Sequence, residues 1–151
     1  MMTLAATLAA MTPDKRKEAE FTVFVNAVGA VESNLTYSAV GDGNLARGAY
    51  QMHVNAWADA NAWRKRHGMP AHRWSAWKDR GVQQQMATAY LHVCKERLEK
   101  AGVEPSWANV YMTYTWGFTS FKNAGFDRTK APPHKQKATD RVVEIVEQLI
   151  K

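Results

Sequence analysis

Val31-Glu32-Ser33-Asn34-Leu35-Thr36-Tyr37-Ser38-Ala39-Val40-Gly41-Asp42-Gly43-Asn44-Leu45-Ala46-Arg47-Gly48-Ala49-Tyr50-Gln51-Met52 decides the fold of this chain, because a helical pattern stops within it and a turn-rich pattern begins. Upstream, Thr12-Pro13-Asp14 supplies an N-cap, a first-turn proline and a first-turn acid. Phe21, Phe24, Val25 and Val28 then recur at helical spacing, which predicts a helix from about Pro13 to about Val31. Downstream, Gly41, Gly43 and Gly48 interrupt the chain, and Tyr37 to Val40 is predicted to pair with Ala46 to Met52 as a hairpin around Asp42, the only sheet.

Further along, periodicity predicts helices from Val54 to His67, closed by Gly68 and Pro70, and from about Arg80 to Lys100, closed by Gly102 and Pro105. Trp74 and Trp77 flank a short turn or helix. Ser106 is placed to cap another helix, with Trp107, Val110, Tyr111 and Tyr114 on one face as far as Gly117. Asp127 to Gln136, with Pro132, Pro133 and several basic residues, reads as an exposed basic loop. A last helix is predicted from about Ala138 to Ile150. The class is therefore mainly α (α+β), with residues 12–151 as one domain and 1–11 as an N-terminal extension.

At 151 residues and 46% hydrophobic content, one core is expected and two are not. Twenty Lys and Arg against 14 Asp and Glu give a charge of +6, which suits anionic partners such as bacterial wall, nucleic acid or a membrane surface. The single cysteine, Cys94, cannot form an internal disulfide and is expected as a buried thiol. Met1 to Met11 is apolar but lacks a basic leader, so no signal peptide is expected. No run approaches the roughly 20 apolar residues of a membrane span, so a soluble product is expected. The five histidines show no metal-ligand spacing and are expected at surface or capping positions, so no metal and no cofactor is expected. Most of the six tryptophans are expected in the core, although some could stack on sugars.

Cleavage of a glycosidic bond needs a carboxylic acid that is still protonated near neutral pH, and partial burial among apolar groups supplies that. Glu32, flanked by Val31, Leu35 and Tyr37, fits the role; on spacing alone it could equally be a surface acid. Glu32-Ser33, the Gly41-Asp42-Gly43 turn and Gly48-Ala49-Tyr50-Gln51 resemble, in order, the glutamate-serine and Gly-Leu-Met-Gln signatures of lysozyme-like lytic transglycosylases. Tyr114-Thr115-Trp116-Gly117 is similar to the Tyr-Asn-Ala-Gly element of that family, with Thr115 and Trp116 as departures.

The resemblance spans about Phe21 to Phe126. It implies a lysozyme-like, goose-type fold with a small hairpin beside the catalytic helix, and cleavage of peptidoglycan glycan strands with Glu32 as general acid and base. It further implies that Ser33, Gly48, Tyr50, Gln51 and Tyr114 bind substrate, with Gly48 letting backbone approach the sugar and Tyr114 lining the far wall. Asp42 is expected either to orient a water or steady the transition state, or to serve only as a turn-former. Hydrolysis and lytic transglycosylation both remain open.

A bacteriophage source follows from the same resemblance, as an endolysin or a virion-associated enzyme. The alternative from another class is a structural or wall-binding component of a larger virion assembly. Lys130, Lys135, Lys137 and Arg141 cluster without any recognisable nucleic-acid motif, so no nucleic acid is expected as partner.

Overall fold

A computed structural model describes residues 1–151 as seven α-helices and one two-stranded antiparallel sheet. No helix is long and apolar enough to cross a membrane. Helix α1 (Leu4–Ala9) is followed by α2 (Pro13–Ser33), which opens on Pro13 and Asp14 as its sequence predicts. α2 runs two residues beyond the expected Val31, so Glu32 falls in its last turn. It stops where Asn34 and Leu35 adopt left-handed backbone (φ 55° and 56°) and fold their N–H groups back onto the carbonyls of Ala30 and Gly29. Phe21, Phe24, Val25 and Val28 face the core, as their spacing requires.

Strands β1 (Val40–Gly41) and β2 (Ala46–Arg47) pair Val40 with Arg47 and Gly41 with Ala46. This is shorter than the expected pairing of 37–40 with 46–52. Asp42, Gly43 and Asn44 all take positive φ at the tip, and beyond Arg47 the chain curls back on itself, Arg47 and Met52 exchanging N–H···O bonds around a left-handed Gln51. The curl uses up the backbone groups that a longer ladder would need.

Helix α3 (Val54–Arg66) leads through a 3-10 turn (Trp74–Lys78) to α4 (Arg80–Lys100), whose bounds agree with the sequence reading. The Asp79 carboxylate caps α4 by accepting the Val82 N–H at 3.0 Å. α4 is the central helix: Met86, Leu91, Cys94 and Leu98 are fully buried, each apolar side chain contributing about 1.5–3 kcal/mol. Burial pushes the Cys94 thiol up to about 12.

Helix α5 (Trp107–Trp116) starts at Ser106, whose hydroxyl accepts the Asn109 N–H, and ends at Gly117 with φ 90°. Past that glycine a short helix α6 (Phe118–Asn123), not expected from the sequence, packs Phe121 into the core. The last helix, α7 (Pro133–Ile150), begins five residues before the expected Ala138. The expected basic loop is thereby corrected: Arg128–Lys130 form a 3-10 turn, Ala131 is buried, and Pro133 occupies the first helical position, where its missing N–H costs nothing. α1 lies against α2 and α7 with Leu8 fully buried. Of the six tryptophans only Trp57 is buried, donating to the His72 carbonyl at 2.8 Å; the other five are half-buried and pack against the core from its margin, Trp63 donating to Glu96 Oε1 at 2.9 Å.

Candidate active site

The end of α2, the hairpin, α5 and the first turn of α7 converge on a cleft of about 360 Å³ whose walls include Glu32, Asp42, Gln51, His53, Tyr114 and Lys135. Each element presents its side chain for a local reason. The left-handed stop at Asn34 fixes the last turn of α2 and with it Glu32. Tyr111, Tyr114 and Thr115, spaced three and four apart, share one face of α5.

Burial of Glu32 disfavours its charged form and raises its pKa above the ordinary carboxylate value. The Tyr111 hydroxyl, donating to Glu32 Oε1 at 2.7 Å, works in the opposite direction, as does the positive charge of Lys135, while Asp42 adds to the upward push. Burial wins. Oε2 of Glu32 has no protein partner, so one oxygen is anchored and the other faces the cleft. Tyr111 itself is buried, and its phenol is raised far above the ordinary range, first by burial and then by the Glu32 charge.

Asp42 sits at the exposed tip of the hairpin with φ 49° and accepts from His53 Nε2 at 2.9 Å. It therefore lines the cleft and forms the turn at once. Gln51 is held by its Nε2 donating to the Gly48 carbonyl at 2.9 Å. Its Oε1 approaches Gly41 so closely that a Cβ there would sit 2.2 Å away, so any larger residue at position 41 would push the Gln51 amide out of its present place. Lys135 reaches in from α7, its Nζ donating to the Thr115 carbonyl. Tyr114 is fixed by its hydroxyl donating to the Tyr50 carbonyl.

Of the residues singled out in the sequence, Glu32, Asp42, Gln51 and Tyr114 meet in the cleft. Ser33, Gly48 and Tyr50 are not among its walls, and each is engaged elsewhere. The Ser33 hydroxyl donates to the Ala49 carbonyl at 2.7 Å and accepts the Thr36 N–H, tying the helix end to the loop beyond the hairpin. Tyr50 is only 1% exposed and stands edge-on to Tyr37 in the core, its hydroxyl unpartnered.

The close approach at Gly48 (φ 79°) is made by the Gln83 amide, which a Cβ would meet at 2.4 Å. Gln83, on α4 and 3% exposed, accepts the Ala49 N–H at 2.8 Å and donates to the carbonyls of Tyr37 (2.7 Å) and Trp77 (2.6 Å). One side chain thus clamps three backbone segments behind the hairpin.

Sequence reasoning missed His53, His134 and Lys135 as cleft residues and Gln83 as the clamp. Pro132-Pro133 as a helix start was the available signal for the two α7 residues; His53 and Gln83 carry no local signal, because their partners lie 11 and 34 residues away. No group of three His, Cys, Asp or Glu side chains converges to hold a metal. Compared with known protein-family models, with characterised proteins and with solved structures, the chain matches none.

Proposed function

We propose that the protein is a lysozyme-like muramidase that cleaves the β-1,4 bond between N-acetylmuramic acid and N-acetylglucosamine in peptidoglycan, with Glu32 as general acid and base. The observation that carries this reading is the Glu32 carboxyl: desolvated, anchored through one oxygen by Tyr111, and open to a cleft through the other. A carboxyl biased toward its neutral form holds the proton that the leaving glycosidic oxygen needs. The mainly helical fold with its hairpin beside Glu32, and the ordered motifs from Glu32 to Gly117, support the assignment.

Glu32 Oε2 gives its proton to the leaving oxygen as the C1–O bond breaks and positive charge develops on the sugar. In the hydrolytic version a water oxygen bonds to C1, and its proton passes to a carboxylate, with Asp42, which also lines the cleft, orienting that water. In the transglycosylating version the muramoyl 6-hydroxyl oxygen bonds to C1 and returns its proton to Glu32. A small lytic domain of this kind suits a bacteriophage enzyme acting on the host wall.

The test is mass spectrometry of fragments released from purified peptidoglycan by wild type and Glu32→Gln. Reducing-end products from wild type alone identify a Glu32-dependent hydrolase; anhydromuramoyl products, one water lighter, identify a transglycosylase. Release by neither protein overturns the proposal and favours a wall-binding component.

A further inference from the structure

A second concavity of about 640 Å³, lined by Leu35 to Ser38 and by Trp77, Lys78 and Arg80, shares no residue with the cleft. Its charge is unusual. The Arg47 guanidinium stands 5.6 Å and the Lys78 ammonium 5.8 Å from the centre of the Trp77 ring, and Arg80 stands 5.0 Å from that of Tyr37. None of the molecule's ion pairs involves any of the three. The neighbouring carboxylate, Asp79, is committed to capping α4.

Arg80 is also the first residue of α4, where the helix dipole already presents positive charge and an acidic residue is the favourable choice. Lys78 and Arg80 flank the start of α4 with Asp79 as the single carboxylate between them, so this segment keeps a net positive charge that a bound anion offsets. The groove is also preorganised, since the Gln83 Nε2 group ties the Tyr37 and Trp77 carbonyls together and so fixes the two rings that carry the cations.

We propose that this groove binds the phosphate groups of an anionic, base-free cell-wall polymer through Lys78 and Arg80, which lie over Trp77 and Tyr37, with Arg47 adding positive charge from beside the Trp77 ring. A guanidinium matches phosphate oxygens in pairs, and the Ser38 hydroxyl, which lines the groove and has no protein partner, suits a polyol chain. Single-stranded nucleic acid is the weaker fit, because it is gripped by aromatic faces left open for stacking, and here cations lie over both rings. The choice of a wall polymer rests on the muramidase reading; the anion groove itself does not.

The experiment is calorimetric titration of the full chain with polyglycerol phosphate, comparing wild type with the double variant Lys78→Ala/Arg80→Ala. Both residues are exposed and lie outside the cleft. The expected result is at least a tenfold loss of affinity in the variant, with the slope of log affinity against log salt reduced by about one for each cation removed. Equal binding by the two proteins overturns the proposal. Equal or tighter binding of wild type to single-stranded DNA carrying the same number of phosphates overturns the choice of a base-free polymer.

Cleavage of polymer-stripped peptidoglycan is measured alongside, and the variant should match wild type. If neither protein cleaves while the variant still loses polymer binding, the muramidase reading falls and the groove stands.

Discussion

Replacing Gln83 by Leu keeps most of the side-chain volume and deletes three hydrogen bonds at once, making it the sharpest test of how the hairpin is held. The Ala49 N–H is completely buried, so losing its acceptor costs the full desolvation penalty of about 1–3 kcal/mol. Tyr37 and Trp77 are half-buried, so their carbonyls regain some water and add about 1 kcal/mol each. Set against the gain from a buried leucine, the net loss is about 2 kcal/mol, or a fall of about 4–8 °C in Tm for a chain of this size. Urea unfolding and calorimetry read it directly. The control is Gln84→Leu, one residue along α4, where the amide makes only a 3.4 Å contact with Asn26 and the expected change is within about 0.5 kcal/mol. If Gln83→Leu is no more destabilising than its neighbour, the clamp is not holding the hairpin.

Three further outcomes are expected. Tyr111→Phe removes a hydrogen bond that favours ionised Glu32, so the Glu32 pKa rises further and the alkaline limb of the pH–rate profile for peptidoglycan cleavage moves to higher pH; a limb that stays or moves down contradicts the assignment of Glu32 as the acid. Glu32→Gln should be more stable than wild type at neutral pH. A carboxyl whose folded pKa lies above its unfolded value weakens the fold as pH rises through that folded pKa, so the advantage shrinks as pH falls toward 4.5 in urea melts. His92, stacked on Phe21 at 4.0 Å and on Trp63 at 4.8 Å, is lowered to about 4, mainly by burial. The unfolded chain therefore takes up the proton first, and stability is lost as pH falls from 6.5 to 4, a loss that His92→Phe should lack in the same melts.

The helices that carry their own start and stop signals were legible in the sequence. Pro13 opens α2, Asp79 and Gly102 bracket α4, and Ser106 caps α5, all through contacts within a few residues. Where the same residue types serve two purposes the reading failed: Pro132-Pro133 breaks a helix or begins one, and only the packing of α7 against α2 and α5 selects the second. The candidate site divides along the same line. Glu32, Asp42, Gln51 and Tyr114 stood in the motifs that carry the family resemblance, and it was the resemblance, more than the local pattern, that pointed to a cleft. Ser33 and Gly48 sat in the same motifs, but the partners that give them scaffold roles, Ala49 and Gln83, are fixed by tertiary structure. His53 enters the cleft for that same reason and left no mark in the local pattern, whereas Lys135 was marked only by the ambiguous Pro132-Pro133 helix start.

Cys94 gives the protein a built-in reporter. It is the single thiol of the chain, lies fully buried on α4, and is held protonated by that burial. Only a thiolate attacks an aromatic disulfide reagent, so the folded molecule is inert toward it and colour develops only during excursions in which α4 parts from its neighbours. With no second sulfhydryl to blur the signal, the labelling rate counts those excursions, and the breathing of the central helix can be timed in the unmodified protein.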